Sequence, residues 1–267
     1  MEFNVYLDGS WLFKQCDYDR VLAKGTEDPW LPFRLDFKKL VALISEKAKS
    51  FGGGGVATPK RLYICTSIFK VPSDAETWPS TKAHPETLAK LRTNLAARED
   101  FVQRAFAAGF LSDGVLRPEL RPFHLALIGR GRWHEKQVDT WLVALLVEQA
   151  IRNPEYFHFL ASGDADMMPG VKRVVPDYTQ RVVHVGTHPV QFEREDQETS
   201  FEFEGFGLEN GPILLEDHLE QLIEGTHVYR CRNRSCNRVF VRPSRIPPGQ
   251  PTFCTPCDRE KAHGKRF

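Results

Sequence analysis

Two carboxylates one residue apart, in Ser162-Gly163-Asp164-Ala165-Asp166-Met167, directly follow the apolar run Tyr156-Phe157-His158-Phe159-Leu160-Ala161. The run has the length and composition of a buried strand, and carboxylates at the carboxyl end of a parallel strand face the crevice where open α/β sheets place their chemistry. Carboxylates gathered there repel one another unless a hard cation stands between them, so the chemistry to expect is that of Mg²⁺ or Mn²⁺. A plainer reading of the same residues is a strand-to-helix turn in which Asp166 caps the following helix. Two further acids weigh against it. Asp8, in Asp8-Gly9-Ser10, ends the stretch Phe3 to Leu7, and Asp139 falls in the first turn of an amphipathic pattern from Glu135 to Ile151. Strand ends and helix starts share one edge of a doubly wound sheet, so Asp8, Asp139, Asp164 and Asp166 can converge from separate elements. Such a cluster suits hydrolysis, because divalent cations held there polarise a phosphodiester and make water a stronger nucleophile.

The elements that must position these acids alternate along the chain. Phe3 to Leu7 predicts a first strand and Leu35 to Lys49 a helix with its stripe on Leu40, Val41, Leu43 and Ile44. The glycine run 52–55 is a connector to a second strand over Arg61 to Ser67, since no Gly-Lys-Ser/Thr follows it to make a phosphate cradle. Lys70 to Pro85 reads as a long loop, Glu86 to Ala108 as a helix and Phe123 to Ile128 as a third strand. After the helix from Glu135 come the strand before Ser162, a helix over Met167 to Val175 and a strand over Arg181 to Gly186. The acidic, Phe-dotted stretch Gln191 to Asn210 leads to a last helix near Leu214 to Glu224. Strands alternating with helices predict an α/β fold, a doubly wound parallel sheet with helices on both faces. The division expected is a domain over 1–225 followed by a small appendage over 226–267.

Asp8-Gly9-Ser10, Lys136-Gln-Val-Asp139 and Ser162-Gly-Asp164-Ala-Asp166 stand in the order and spacing of NYN domains, a branch of the PIN-like ribonucleases, and residues 3 to 225 resemble that family. Met168-Pro169, Val171-Lys-Arg-Val and Arg181-Val-Val-His-Val-Gly186 continue the resemblance. It implies a PIN-like sheet and a metal-dependent endoribonuclease. Asp8, Asp139, Asp164 and Asp166 would take the acidic positions around Mg²⁺ or Mn²⁺. Ser10 and Ser162 would orient phosphate, ligand or water, and Lys136 would stand beside the scissile group. In one place the chain departs from the family: Trp11 stands where an Asn usually follows the first acidic turn.

The carboxyl-terminal end carries a second metal signal. Cys231-x4-Cys236 and Cys254-x2-Cys257, seventeen residues apart, read as the two knuckles of a zinc ribbon. Four thiolates complete a tetrahedral Zn²⁺ and leave no open position, so this zinc is structural. Cys16 and Cys65 lie far from it and read as small core residues. Val228 to Phe267 holds ten Lys and Arg against two Asp and Glu, while the rest of the chain holds 26 against 33, so an acidic body carries a basic end. Arg232, Arg234, Arg238 and Arg242 on the ribbon suit phosphate contact, and Arg130 and Arg132 beside Trp133 extend the track. Phe240 and Phe253 between them are candidates to stack on bases. RNA is the partner this charge favours, with docking to a protein as the competing use of the ribbon.

No segment approaches the roughly 20 apolar residues of a membrane span, and Met-Glu-Phe-Asn-Val enters a strand without a basic leader, which predicts a cytoplasmic protein. Two readings remain: an endoribonuclease with a ribbon that holds the strand, or an RNA-binding adaptor whose acidic site is catalytically weak or inactive. A phosphatase using an Asp nucleophile is disfavoured, since Asp8-Gly9-Ser10 lacks the second carboxylate of an Asp-x-Asp turn.

Overall fold

The computed structural model of the chain describes residues 1–83, 85–130, 137–187 and 212–262. In chain order its elements are β1 (Glu2–Asp8), α1 (Gly9–Gln15), α2 (Val21–Lys24), α3 (Phe37–Phe51), β2 (Thr58–Ser67), α4 (Pro79–Ala83), α5 (Pro85–Ala107), β3 (Val115–Leu116), α6 (Pro122–Gly129), α7 (Val138–Arg152), β4 (Phe157–Ala161), α8 (Met168–Val174), β5 (Val182–Gly186), β6 (Ile213–Leu214), α9 (Leu219–Leu222), β7 (His227–Arg230), β8 (Val239–Arg242) and α10 (Thr255–Ala262). Strands β1 to β4 pair in parallel with one another and β5 pairs in parallel with β6, so the fold is α/β. Two compact units form, Met1–Phe13 with Thr58–Val182 and Lys14–Ala57 with Val183–Phe267.

In the first unit the strand order is β3-β2-β1-β4. β1 is the inner strand, buried from Phe3 to Asp8, as a parallel strand covered on both faces must be. Polar side chains tie it to its neighbour: the Tyr6 hydroxyl meets His158 Nδ1 at 2.9 Å, and His158 Nε2 reaches the Asn153 carbonyl at 3.0 Å. Slipping the register by one residue would break this buried pair and turn each side chain to the opposite face. α7 runs along β1, β2 and β4.

Two expectations fail here. Phe123 to Ile128 is not a strand but the helix α6, since Pro122 starts the first turn and His124 Nδ1 accepts from the Arg121 N–H at 3.2 Å. A short apolar run has no period of its own, and these flanking residues decide the outcome. The third strand is instead the two-residue β3, paired with Thr66 and Ser67 of β2. The supposed loop over Lys70 to Pro85 contains a 3₁₀ turn, Ala75–Thr77, and α4, because Phe69, Val71 and Trp78 pack on a core of Ala75, Leu88, Leu120 and Leu125.

In the second unit Asp36 caps α3 by accepting from the Lys38 and Lys39 N–H groups. β5 and β6 pair through Val185 and Ile213. The helix expected near Leu214 to Glu224 is broken into β6, a 3₁₀ turn Leu215–His218 and α9. The acidic stretch Gln191 to Asn210 lies outside the described residues.

Gly114 lets β3 approach β2. A Cβ on it would lie 2.5 Å from the Ile64 carbonyl oxygen and 2.6 Å from Cys65 Sγ. Gly114→Ala is expected to lower stability by about 1–3 kcal/mol, the usual cost of overpacking, read as a fall in the denaturant midpoint.

Candidate functional site

The chain passes from β1 to β2 to β3 on one side, then returns to β4 on the other side of β1. β1 and β4 thus flank a switch point, the place where open parallel sheets bind ligands at their carboxyl ends. Leu7 pairs with Ala161, so the next residues out, Asp8 and Ser162, come side by side.

Asp8 is 3% exposed. Its Oδ1 accepts from the Trp11 N–H at 2.9 Å, closing the first turn of α1 in the manner of a cap, and its Oδ2 accepts from Ser162 Oγ at 3.0 Å. Ser162 Oγ also accepts from the Asp164 N–H at 3.1 Å, so one fully buried hydroxyl ties the Asp8 carboxylate to the Asp164 backbone. Asp164 Oδ1 then accepts from the Asp166 N–H at 3.0 Å. The turn is therefore organised by Asp164, and Asp166 does not cap α8, which starts at Met168 without a side-chain cap.

Burial pushes the Asp8 carboxyl up to about 6, with the charges of Asp139 and Asp164 adding to the rise and the bonds from Trp11 and Ser162 opposing it. Asp139, partly buried in the first turn of α7, is thus close enough to act on Asp8. Both acids act on Asp8 by charge and so add to the cost of its ionised form. Asp139 and Asp164 lie near enough to act on Asp8 by charge, and Asp164 and Asp166 are both exposed at the turn.

The Trp11 ring packs on Gly163, where a Cβ would collide with the indole Nε1. Ser10 Oγ lies 3.0 Å from Thr66 Oγ1, and Arg98 Nη1 lies 3.4 Å from Ser10 Oγ and 3.3 Å from the Ser67 carbonyl. Neither Arg98 nor Thr66 stands out in the sequence: an Arg in mid-helix and a Thr in a strand carry no motif. Lys136 and Arg132 lie outside the described residues, and Arg130 is exposed at the end of α6.

In the second unit the Sγ atoms of Cys231, Cys236, Cys254 and Cys257 all lie within 4.8 Å of one another. Zn–S bonds of about 2.3 Å around a tetrahedral ion put sulfurs roughly 3.8 Å apart, so the four can hold a metal such as zinc. Asn233 Nδ2 donates to Cys257 Sγ at 3.2 Å, the outer-shell bond that orients a thiolate. Phe240 is a core residue of this cluster and not an exposed stacking ring. Arg242 is held by Glu27, Nη1 to Oε2 at 2.7 Å, while Arg232 and Arg234 are exposed and Arg238 is half-buried.

Compared with family models, with curated proteins and with solved structures, the chain finds no match.

Between the usual carboxylate range and about 6, Asp8 stays protonated when folded and ionises when unfolded, so stability falls as pH rises through that window. Asp8→Asn removes this linkage. In EDTA it is expected to raise stability at pH 8 by on the order of 2 kcal/mol, with the gain shrinking toward pH 4, read by thermal unfolding. The protein as purified is expected to carry one zinc ion per chain by elemental analysis, and Cys254→Ser to lose it.

Proposed function

We propose that this chain is a metal-dependent endoribonuclease, with a PIN-like domain of NYN type as its catalytic part and a zinc ribbon that aids RNA binding. The observation that carries the reading is the single hydroxyl of Ser162, which joins the Asp8 carboxylate to the backbone N–H of Asp164 at the β1/β4 switch point. Asp8 and Asp164 would hold Mg²⁺ or Mn²⁺, with Asp139 completing the set directly or through water and Asp166 outermost. The cation supplies charge stabilisation of the phosphodiester and a water of lowered pKa.

The rest is done by side chains. Burial keeps Asp8 in one orientation, and the Trp11 N–H and Ser162 Oγ prevent it from turning away. Positioning of this kind costs nothing at the moment of reaction, which is why preorganised charge is effective in catalysis. Ser162 is buried and bonded to the Asp8 carboxylate and the Asp164 N–H, so its role is to hold the strand end and the turn together and not to touch substrate. Arg232, Arg234, Arg238 and Arg130 are the cations offered to the RNA backbone; Arg242, engaged by Glu27 and Thr255, is not.

A second reading rests on Trp11. Its ring lies on Gly163, beside Asp164, where NYN domains carry a small polar Asn. A bulky indole there favours an adaptor that binds RNA without turnover.

Labelled single-stranded RNA is expected to be cut with Mn²⁺ or Mg²⁺, to survive in EDTA, and to survive Asp164→Asn, with losses of 10²-fold or more in kcat. Binding without cleavage in either metal would leave the adaptor as the function.

A further inference from the structure

We infer that Arg98, with Ser10 and Thr66, forms a phosphate subsite at the carboxyl end of β1 and β2, beside the acidic edge. The inference rests on the nuclease reading for its substrate, an RNA phosphodiester, though not for its geometry. Asp8, Asp139, Asp164 and Asp166 are all acids, and cations placed among them can neutralise only the phosphate oxygens that face them. The non-bridging oxygens turned toward β2 need donors from the protein.

Arg98 supplies one from a different element, α5. Its Nη1 stands 3.4 Å from Ser10 Oγ, and Ser10 follows Asp8 by two residues. Two features hold the guanidinium in place: the Ser67 carbonyl at 3.3 Å and the Phe13 ring, whose centroid lies 5.1 Å from Cζ. Phe13 is itself fixed edge-on against the buried Phe101 of α5. The fully buried Thr66 holds Ser10 Oγ from the other side at 3.0 Å, so the hydroxyl is fixed between a cation and the end of β2. A planar guanidinium held by stacking is pre-organised to meet two phosphate oxygens at once, which an ammonium is not.

The experiment uses the full zinc-loaded chain as wild type, Arg98→Met, Arg98→Lys and Asp164→Asn. Cleavage of a short labelled single-stranded RNA is followed in Mn²⁺, and its binding is followed by anisotropy in Ca²⁺ across a salt series. Arg98→Met is expected to raise KM and to lower kcat/KM by about 10- to 100-fold, the range for one charge-assisted contact. Its salt dependence of binding is expected to fall by about 0.7 in log–log slope, the value for one phosphate contact on a single strand. Arg98→Lys should restore the slope, but only part of kcat/KM. A structural role alone would move the melting temperature and leave the slope intact. If Arg98→Met is poorly folded, the partial loss in Arg98→Lys decides.

Wild-type values in Arg98→Met, for slope and kcat/KM alike, would overturn the subsite. Absence of wild-type cleavage together with an Arg98-dependent slope would overturn the nuclease reading and leave the subsite standing. A wild type that neither cuts nor binds would overturn both.

Discussion

A carboxylate taken out of water is costly unless donors meet it, and the first unit is organised around one. Asp8 lies at the end of the inner strand β1, almost without exposure, yet it has two donors, the Trp11 N–H and Ser162 Oγ. Both depend on details elsewhere. The Trp11 bond needs α1 to start immediately after the strand. The Ser162 bond needs Leu7 opposite Ala161, a register that the buried Tyr6–His158 contact helps to secure. The acids around Asp8 work against this arrangement, because each raises the cost of its charge.

The basic end of the chain is not a tail hung on a separate body. Its hairpin β7–β8 is joined to the segment before α3: the Val239 N–H donates to the Gly25 carbonyl, and the Glu27 N–H donates to Val239. Glu27 then accepts from Arg242 and from the Thr255 N–H at 2.6 Å. Burial alone would raise the Glu27 carboxyl, but these bonds outweigh it and hold it below the usual range. One acid thus fixes the strand that carries Arg242 and the start of α10 that carries Cys257. The cysteine cluster is supported by its own small core, with Phe240 buried against it. A four-cysteine cluster of this size has little apolar surface to bury, and a metal or neighbouring contacts must supply the rest.

Sequence reading reached most of this architecture where one signal was strong. The strands at Phe3, Arg61, Tyr156 and Arg181 and the helices at Leu35, Glu86 and Glu135 carry unambiguous patterns, and helices or strands occupy those places among the described residues. It failed where a segment's fate rested on what packs against it. Phe123 to Ile128 suits a strand as well as a helix, and Pro122 with His124 turned it into α6. Residues 70–83 looked like a loop for their prolines and polar groups, though Trp78 and Ala75 belong to a core that forms only when Leu88, Leu120 and Leu125 arrive. No helix among the described residues is long and apolar enough to cross a membrane, which agrees with the hydropathy of the chain.

What the sequence by itself determined is the chemistry on offer: four thiols at ribbon spacing, and acids that end strands or begin a helix. Side-chain identity and local period are covalent and short-range properties, so they can be read without knowing the fold. Tertiary structure alone decided which of those groups meet. It placed Ser162 Oγ between the Asp8 carboxylate and the Asp164 N–H, left Asp164 and Asp166 exposed at the turn and buried Phe240 in the core of the cysteine cluster. It also brought Arg98 from mid-helix to the side of Ser10, 88 residues away in the chain. Convergence of that kind depends on strand order and register, which are set by long-range packing and not by any residue's own preference.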